Sequence, residues 1–488
     1  MTSSLFVFRP CTASRSHCAT SLTMATSDLI LLLPYPSQGH INPMLQFGKR
    51  CAAHGASATL ATTRFILNTT RPQPGPVHLA AISDGCDRAG YAEVSSIPDY
   101  LDRLERVGSE TLESLLRSEA AAGRPVRLLV FDAFLPWAGD VGRRLGLATA
   151  AFFTQSCAVN ALYFHVWEGR LHVPVQAAEL DLPGLPRLRP RDLPSFLPDR
   201  DSIYPAYLQL VLNQFKNLEK ADEVLVNTFY ELEPQESEYL KVESGAKTIG
   251  PTVPSRHLDG RIPSDSHYGF HLFEPSVAAC MSWLDSKPPA SVVYVSFGSM
   301  AAICQEQMEE LAQGLSATGK HFLWVVRSSE AHKFPPGFVE GCRDRGLVVP
   351  WSPQLEVLAH PATGCFLTHC GWNSTVEGLG LGVPMVAMPQ WTDQPTNAMY
   401  VEEVWGVGVR VREDGEGLVR RVEVERCVRE VMEGGRSSEM RRNAARWRAL
   451  AKAAVGQNGS SDKNIVELIA KYCSKAEKDC VHQQLVGT

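Results

Sequence analysis

A chain of 488 residues exceeds what one compact core holds, so two domains are the natural expectation. Hydrophobic residues make up 44% and charged residues 20%, the balance of a globular chain. The formal net charge of −6 argues against nucleic acid or an anionic membrane as partner, and no apolar run approaches the ~20 residues that span a bilayer. Any anionic ligand must then be held by local devices rather than by a basic face.

Residues 1–23 are rich in Ser and Thr, carry Arg9 and Arg15 and contain no acid. That composition fits an organelle transit peptide; the alternative is an upstream start, with the usual chain beginning at Met24. Leu5–Phe8 is too short for the apolar core of a secretory signal. From residue 28 onward, apolar strand-like runs alternate with amphipathic helix-like segments, the pattern of a parallel α/β sheet. Strands are predicted at Asp28–Leu33, Ser57–Thr62, Val77–Ile82, Arg127–Phe131 and Thr149–Phe153.

Gly39-His40-Ile41-Asn42-Pro43 follows the first strand. Asn42 suits an N-cap and Pro43 a first helical position, which would pin His40 just before a helix at the carboxyl end of the sheet. Asp132 ends the apolar run LLVFD, where a carboxylate is costly without a partner or a site to serve. Asp199-Arg200-Asp201 imitates a metal-binding D-x-D motif, but its Pro-rich surroundings read as a solvated turn.

After Asn227 the character is mixed, and Pro251, Pro254, Gly260 and Pro263 mark an interdomain linker. The alternation then restarts with strands predicted at Ser291–Phe297, His321–Val326, Leu347–Val349, Gly364–Thr368 and Met385–Met388. Two Rossmann-like parallel α/β domains facing a cleft are the expected architecture, with ligands beyond the carboxyl ends of the strands. A last helix, Ser460 to Tyr472, is expected to be capped by its Ser/Asp start. The thirteen cysteines are scattered without a C-x-x-C pair and read as reduced thiols. His360, Cys365, His369 and Cys370 have zinc-binding chemistry, but adjacent strand residues face opposite ways, so no metal site is expected.

The most informative segment runs from Trp351 to Gln394: WSPQLEVLAHPATGCFLTHCGWNSTVEGLGLGVPMVAMPQWTDQ. His369, Gly371, Asn373 and Ser374 lie where a strand ends and a helix begins, a place with unpaired N–H groups and partial positive charge suited to a diphosphate. Ser374-Thr375-Val376-Glu377 also reads as a capping box. Gly378, Gly380 and Gly382 fall at the wrong end of that helix for a phosphate loop and read as a helix stop and close packing.

This box closely resembles the signature of the plant family 1 secondary-product glycosyltransferases, enzymes of the GT-B fold. YVSFGS, GHINPMLQFGKR and NTFYELE extend the resemblance over nearly all the chain after Met24. It implies an acceptor-binding domain at 24–250, a linker at 251–270, a UDP-sugar domain at 271–455, and a C-terminal helix and tail at 456–488. It makes Trp351 the platform for uracil with Gln354 beside it, and gives Glu377 to the ribose rather than to a cap. Asp393 and Gln394 match the pair that holds the sugar hydroxyls, Gln at the last place being the form associated with glucose. Trp372 matches a residue whose backbone N–H or ring meets the far side of the sugar. Gly39, Ser296 and Ser299 match positions lining the donor, the two serines near the diphosphate, and Thr154 matches one near the sugar.

By the same resemblance His40 is the base that deprotonates an acceptor and Asp132 the acid that orients it, fixing the tautomer and stabilising the imidazolium. One in-line displacement would invert the anomeric centre and give a β-glucoside. The expected substrates are UDP-glucose and a small phenol, alcohol or carboxylic acid; ISDG at Ile82–Gly85 and NTFYELE lean the same way, with a thiol acceptor or another UDP-sugar as alternatives. A UDP-sugar hydrolase or epimerase is disfavoured by the dedicated acceptor half, and a silent binder by the presence of both His40 and Asp132. No cofactor or metal is expected, and a cytoplasmic monomer is the expected form, or a plastid one if residues 1–23 act as a transit peptide. Asn68, Asn373 and Asn458 sit in glycosylation sequons, and a glycan on Asn373 would block the diphosphate, so the working enzyme is expected to avoid the secretory path.

Overall fold

The computed structural model describes residues 29–198 and 205–473, so the amino-terminal residues 1–23 and Asp199-Arg200-Asp201 lie outside the described residues. The first sheet is built from β1 (Leu29–Leu33), β2 (Ser57–Thr63), β3 (His78–Ile82), β4 (Val126–Asp132), β5 (Ala148–Phe153), β6 (Glu223–Val226) and β7 (Ala246–Thr248). The second holds β8 (Val292–Ser296), β9 (His321–Val325), β10 (Gly346–Val349), β11 (Thr363–Thr368), β12 (Met385–Ala387) and β13 (Gly408–Arg410). Their orders are β3-β2-β1-β4-β5-β6-β7 and β10-β9-β8-β11-β12-β13, all neighbours parallel.

The LILLL run of β1 shows why these strands are legible. Leu29, Leu31 and Leu33 pack into the cluster on one face of the sheet, Ile30 and Leu32 into that on the other. A parallel strand covered by helices on both faces must be apolar throughout, and all ten sequence-predicted strands appear where expected to within a residue or two. The three that the sequence reading omits are short. β6 opens on Glu223, β7 carries Lys247 at its centre and β13 ends at Arg410, and these charges are paired across space: Lys247 and Lys471 with Glu223, Arg410 with Asp192.

Two helix starts differ from expectation. The first helix begins at Gln38, with Ser37 as N-cap, and runs to Ala53 with Asn42 and Pro43 inside it. Proline has no N–H to offer the carbonyl four residues back, so interior placement leaves Gly39 O unpaired within the helix. The second domain supplies the missing donor: Asn373 Nδ2 bonds Gly39 O at 2.7 Å. The last helix, Ser460–Tyr472, is capped by Gly459 rather than by a side chain, because a Cβ there would come within 2.0 Å of Ala453 O. Asp462 instead accepts from Asn458 N. This helix packs back on the first domain, with Ser461 bonded to Gly250 O and Asn464 to Thr248 O.

In each sheet the chain reverses its lateral direction once between central strands, at β1/β4 and at β8/β11. Such switch points leave a crevice at the carboxyl ends of the strands. Both crevices are occupied by the residues singled out above.

Candidate active site

His40 and Asp132 meet at the β1/β4 crevice. His40 sits in the first turn of the helix Gln38–Ala53, not ahead of it, and Asp132 is the last residue of β4. His40 Nδ1 lies 2.7 Å from Asp132 Oδ2. Asp132 is 1% exposed and also accepts from Tyr35 N at 3.2 Å and Phe134 N at 3.0 Å, so its burial is matched by hydrogen bonds. With Nδ1–H directed at the carboxylate, Nε2 carries the lone pair, and no described side chain bonds it. Tyr35 and Phe134 flank the imidazole at 5.3 and 4.9 Å between ring centroids. Thr154 Oγ1 lies 3.3 Å from His40 Nδ1, which places Thr154 at the histidine.

At the β8/β11 crevice the helix Trp372–Leu381 starts after Gly371, with no side-chain cap on its N–H groups. His369 follows β11, and its ring lies between Gly298 and Gly371, where a Cβ on either would approach Nε2 within 2.7 or 2.6 Å. Burial pushes His369 down to about 4 against a hydrogen bond to the Ser296 backbone, so at neutral pH the ring carries no charge. Ser296 ends β8 beside it; Ser299 lies on the following turn, its carbonyl held by Arg327. Gly378 packs on Met385, and Gly382 in the left-handed conformation (φ 74°) ends the helix, as the glycine run suggested.

The capping-box alternative falls away. Ser374 is in the first turn and its Oγ accepts from Gln354 Nε2 at 3.0 Å, while Glu377 binds side chains only, Tyr268 OH and Gln354 Nε2, each at 2.6 Å. Burial pushes the Glu377 carboxyl up to about 7 against those two bonds. Gln354 Oε1 in turn accepts from Tyr294 OH at 2.9 Å. Trp351 is partly buried, with Phe273 against it at 4.6 Å.

Of the two alternatives for Trp372, backbone N–H or ring, the structure leaves the first. The indole Nε1 donates to Asn227 O at 2.6 Å and the ring is buried, so the ring joins the domains and only the backbone stays at the crevice. NTFYELE proves to be scaffold too: Glu233 receives Cys157 N, Ala158 N and Thr228 Oγ1 at the start of the helix Cys157–Trp167. In ISDG, Asp84 holds Tyr100 OH and Cys86 N. Asp393 and Gln394 stand after β12 at the turn into the helix Gln394–Met399. Asp393 is held by Thr392 and by Asn397 Nδ2 (2.7 Å), and burial raises its carboxyl above the usual range. Gln394 Oε1 accepts from Gln390 N at 2.8 Å and Trp391 N at 3.1 Å, leaving its amide nitrogen for a ligand.

Residues 274–441 match the family model for UDP-glucoronosyl and UDP-glucosyl transferase. Crocetin glucosyltransferase 2 of Crocus sativus is 52% identical over 92% of this chain and 97% of its own length. Flavonol 7-O-beta-glucosyltransferase UGT74F1 of Arabidopsis thaliana is 48% identical over 91% and 98%. The chain belongs to the plant UDP-glycosyltransferases. Among solved structures, Os79 of O. sativa in complex with UDP superposes with a TM-score of 0.87 at 52% identity, over 91% of this chain and all of that one. UGT2 of Phytolacca americana, complexed with UDP-2fluoro-glucose and pterostilbene, superposes at 0.76 with 30% identity over the same shares. The fold is therefore GT-B, and this UDP-glycosyltransferase places its two crevices toward each other.

Sequence reasoning missed Tyr268, Phe273 and Tyr294, which touch the Trp351–Glu377 cluster from the linker, from the segment just after it and from β8. Tyr294 is the middle residue of β8, and Tyr268 and Phe273 lie in the irregular stretch before the helix Val277–Asp285, where nothing local in the sequence singles them out. Buried polar atoms without described partners on and near the helix Cys157–Trp167 include Gln155 Oε1 and Asn160 Oδ1, in a stretch the sequence places near the cleft, and Tyr163 OH and Gln214 Nε2, which it does not single out. Among the described residues no helix is long and apolar enough to cross a membrane.

Proposed function

We propose that the protein transfers glucose from UDP-glucose to a small phenol, alcohol or carboxylic acid with inversion, giving a β-glucoside or glucose ester. The observation that carries this reading is the His40–Asp132 pair at 2.7 Å, with Nε2 left as the free base. An acceptor hydroxyl at Nε2 loses its proton as its oxygen attacks the anomeric carbon; the bond to the UDP oxygen breaks, and the electron pair leaves with the diphosphate. Asp132 stabilises the imidazolium that forms. The helix start after Gly371, His369, Asn373, Ser374 and the serines of β8 and its turn would meet the leaving diphosphate. Trp351 would carry the uracil, Gln354 and Glu377 the ribose, and Asp393 with the Gln394 amide the glucose hydroxyls.

The relatives' names support the donor and the small acceptor, and a thiol acceptor or another UDP-sugar is the second reading. Metal-independence is proposed from the donor set, which is N–H and hydroxyl groups aimed at an anion rather than a pair of carboxylates aimed at a cation. A monomer is proposed because the two crevices of a single chain already supply both the base pair and the anion site. A cytosolic or plastid enzyme is proposed because Asn373 Nδ2, the atom a glycan would take, is already bonded to Gly39 O between the domains. The test is UDP release with and without candidate acceptors, with the product's anomeric configuration read by NMR. An α-linked product, or equal UDP release without acceptor, would defeat the proposal.

A further inference from the structure

Residues 265–276, leading from the linker into the second domain, form a strap across the uridine end of the cleft. Lys49, on the helix that carries His40, anchors it: Nζ pairs with buried Asp265 at 2.8 Å and donates to the carbonyls of His267 and Tyr268 at 3.0 and 3.1 Å. Gln73 N bonds Gly269 O at 2.6 Å, and Gly269 (φ 80°) leaves no space for a Cβ, which would come within 2.1 Å of Gln73 O. Leu272 N then reaches Gln38 Oε1, and Ser276 N reaches Trp351 O. Between these ties the strap sends Phe273 onto Trp351 and the Tyr268 hydroxyl onto Glu377 Oε1.

We propose that Tyr268 is a positioning residue for nucleoside recognition, holding one oxygen of Glu377 while Gln354 holds the other, so that the carboxylate presents its remaining lone pairs to the ribose. This rests on the reading of Glu377 as the ribose acceptor. Burial and the facing carboxylate push the Tyr268 phenol far up, so it remains a donor at any working pH. A buried carboxylate fixed at both oxygens has one orientation, and a ligand that needs that orientation meets no reorganisation cost. Because the strap is tied to the helix Gln38–Ala53, the residue that orients the ribose acceptor is held by the element that carries the base.

The test is calorimetric binding of UDP and of 2′,3′-dideoxy-UDP to wild type, Tyr268→Phe and Glu377→Gln, with KM for UDP-glucose across pH 6–9. Tyr268→Phe should weaken UDP about tenfold, the scale of one hydrogen bond to a charged group, while dideoxy-UDP weakens little, so discrimination between the two shrinks. Glu377 works ionised, so KM should fall as pH rises through about 7. The groups facing it are Tyr268 on the strap, Glu356 on the neighbouring helix and Tyr294 on β8, with Asp265 facing Tyr268. Removing the Tyr268 bond, which lowers the carboxyl, should move this limb to higher pH. A strut with no part in recognition would lower the melting temperature yet leave discrimination and the pH limb as in wild type, and that result overturns the proposal. Wild-type discrimination in Glu377→Gln would overturn the ribose assignment itself and the Tyr268 role with it; reduced discrimination there, with none lost in Tyr268→Phe, would sink the Tyr268 role alone.

Discussion

The two switch points share a topology and differ in chemistry. At β1/β4 a helix start and a strand end supply an imidazole and a carboxylate joined by a 2.7 Å bond; at β8/β11 the crevice holds a helix start, a histidine kept neutral by burial, and amide and hydroxyl groups. On the proposed reading one crevice moves a proton and the other holds an anion without moving one. The fold provides the position in both cases, and the side chains at the strand ends decide the use.

The largest expected effect tests the proton-moving side. His40→Ala should lower kcat/KM on alcohol acceptors by about 10²–10⁴-fold and spare carboxylic acids, which are already ionised at pH 7. Asp132→Ala should follow the same ordering with a smaller loss, since it acts through the histidine. Equal losses on both acceptor types would break the contrast by making His40 a positioning group.

Donor choice sharpens the other side. Gln394→His should lower use of UDP-glucose relative to UDP-galactose, measured as the ratio of kcat/KM. It should also destabilise the fold by about 1–3 kcal/mol, because Gln394 Oε1 serves two backbone N–H groups that one imidazole nitrogen cannot both satisfy. An unchanged donor ratio would remove Gln394 from the sugar subsite. Asn373→Ala should cost about 1–3 kcal/mol in thermal unfolding by leaving Gly39 O without its donor, and should weaken UDP binding as well. Stability loss with intact UDP affinity would confine Asn373 to the interface. The smallest effect belongs to Trp372→Phe, which removes the Nε1 bond to Asn227 O: about 1 kcal/mol of stability, with the donor ratio unmoved. A changed ratio would return the ring to the sugar.

The sheets were legible because buried parallel strands have to be apolar on both faces, and β1, β4, β8 and β11 are. His40 and Asp132 were legible because Asp132 ends such a strand, where a carboxylate has few other reasons to be, and His40 follows the first strand at the same end of the sheet. What was not legible depends on contacts across long sequence separations. Pro43 signals a helix start locally, yet Asn373 makes an interior position tolerable. Trp372 lies in a ligand-binding motif, yet its ring is claimed by Asn227. Tyr268 sits in a segment whose composition says linker, and its importance lies in Glu377, 109 positions away. Short edge strands such as β7 escaped because partners elsewhere neutralise their charges.

The proline inside the first helix has a consequence for how such enzymes can be recombined. The carbonyl it orphans belongs to one half of the molecule and the amide that answers it to the other. A chimaera that joins this amino-terminal half to a carboxyl-terminal half lacking the asparagine would carry an unanswered polar group beside its base, although each half is sound by itself. Pro43 and Asn373 thus work as matching halves of a key, and shuffled halves should be chosen to keep both.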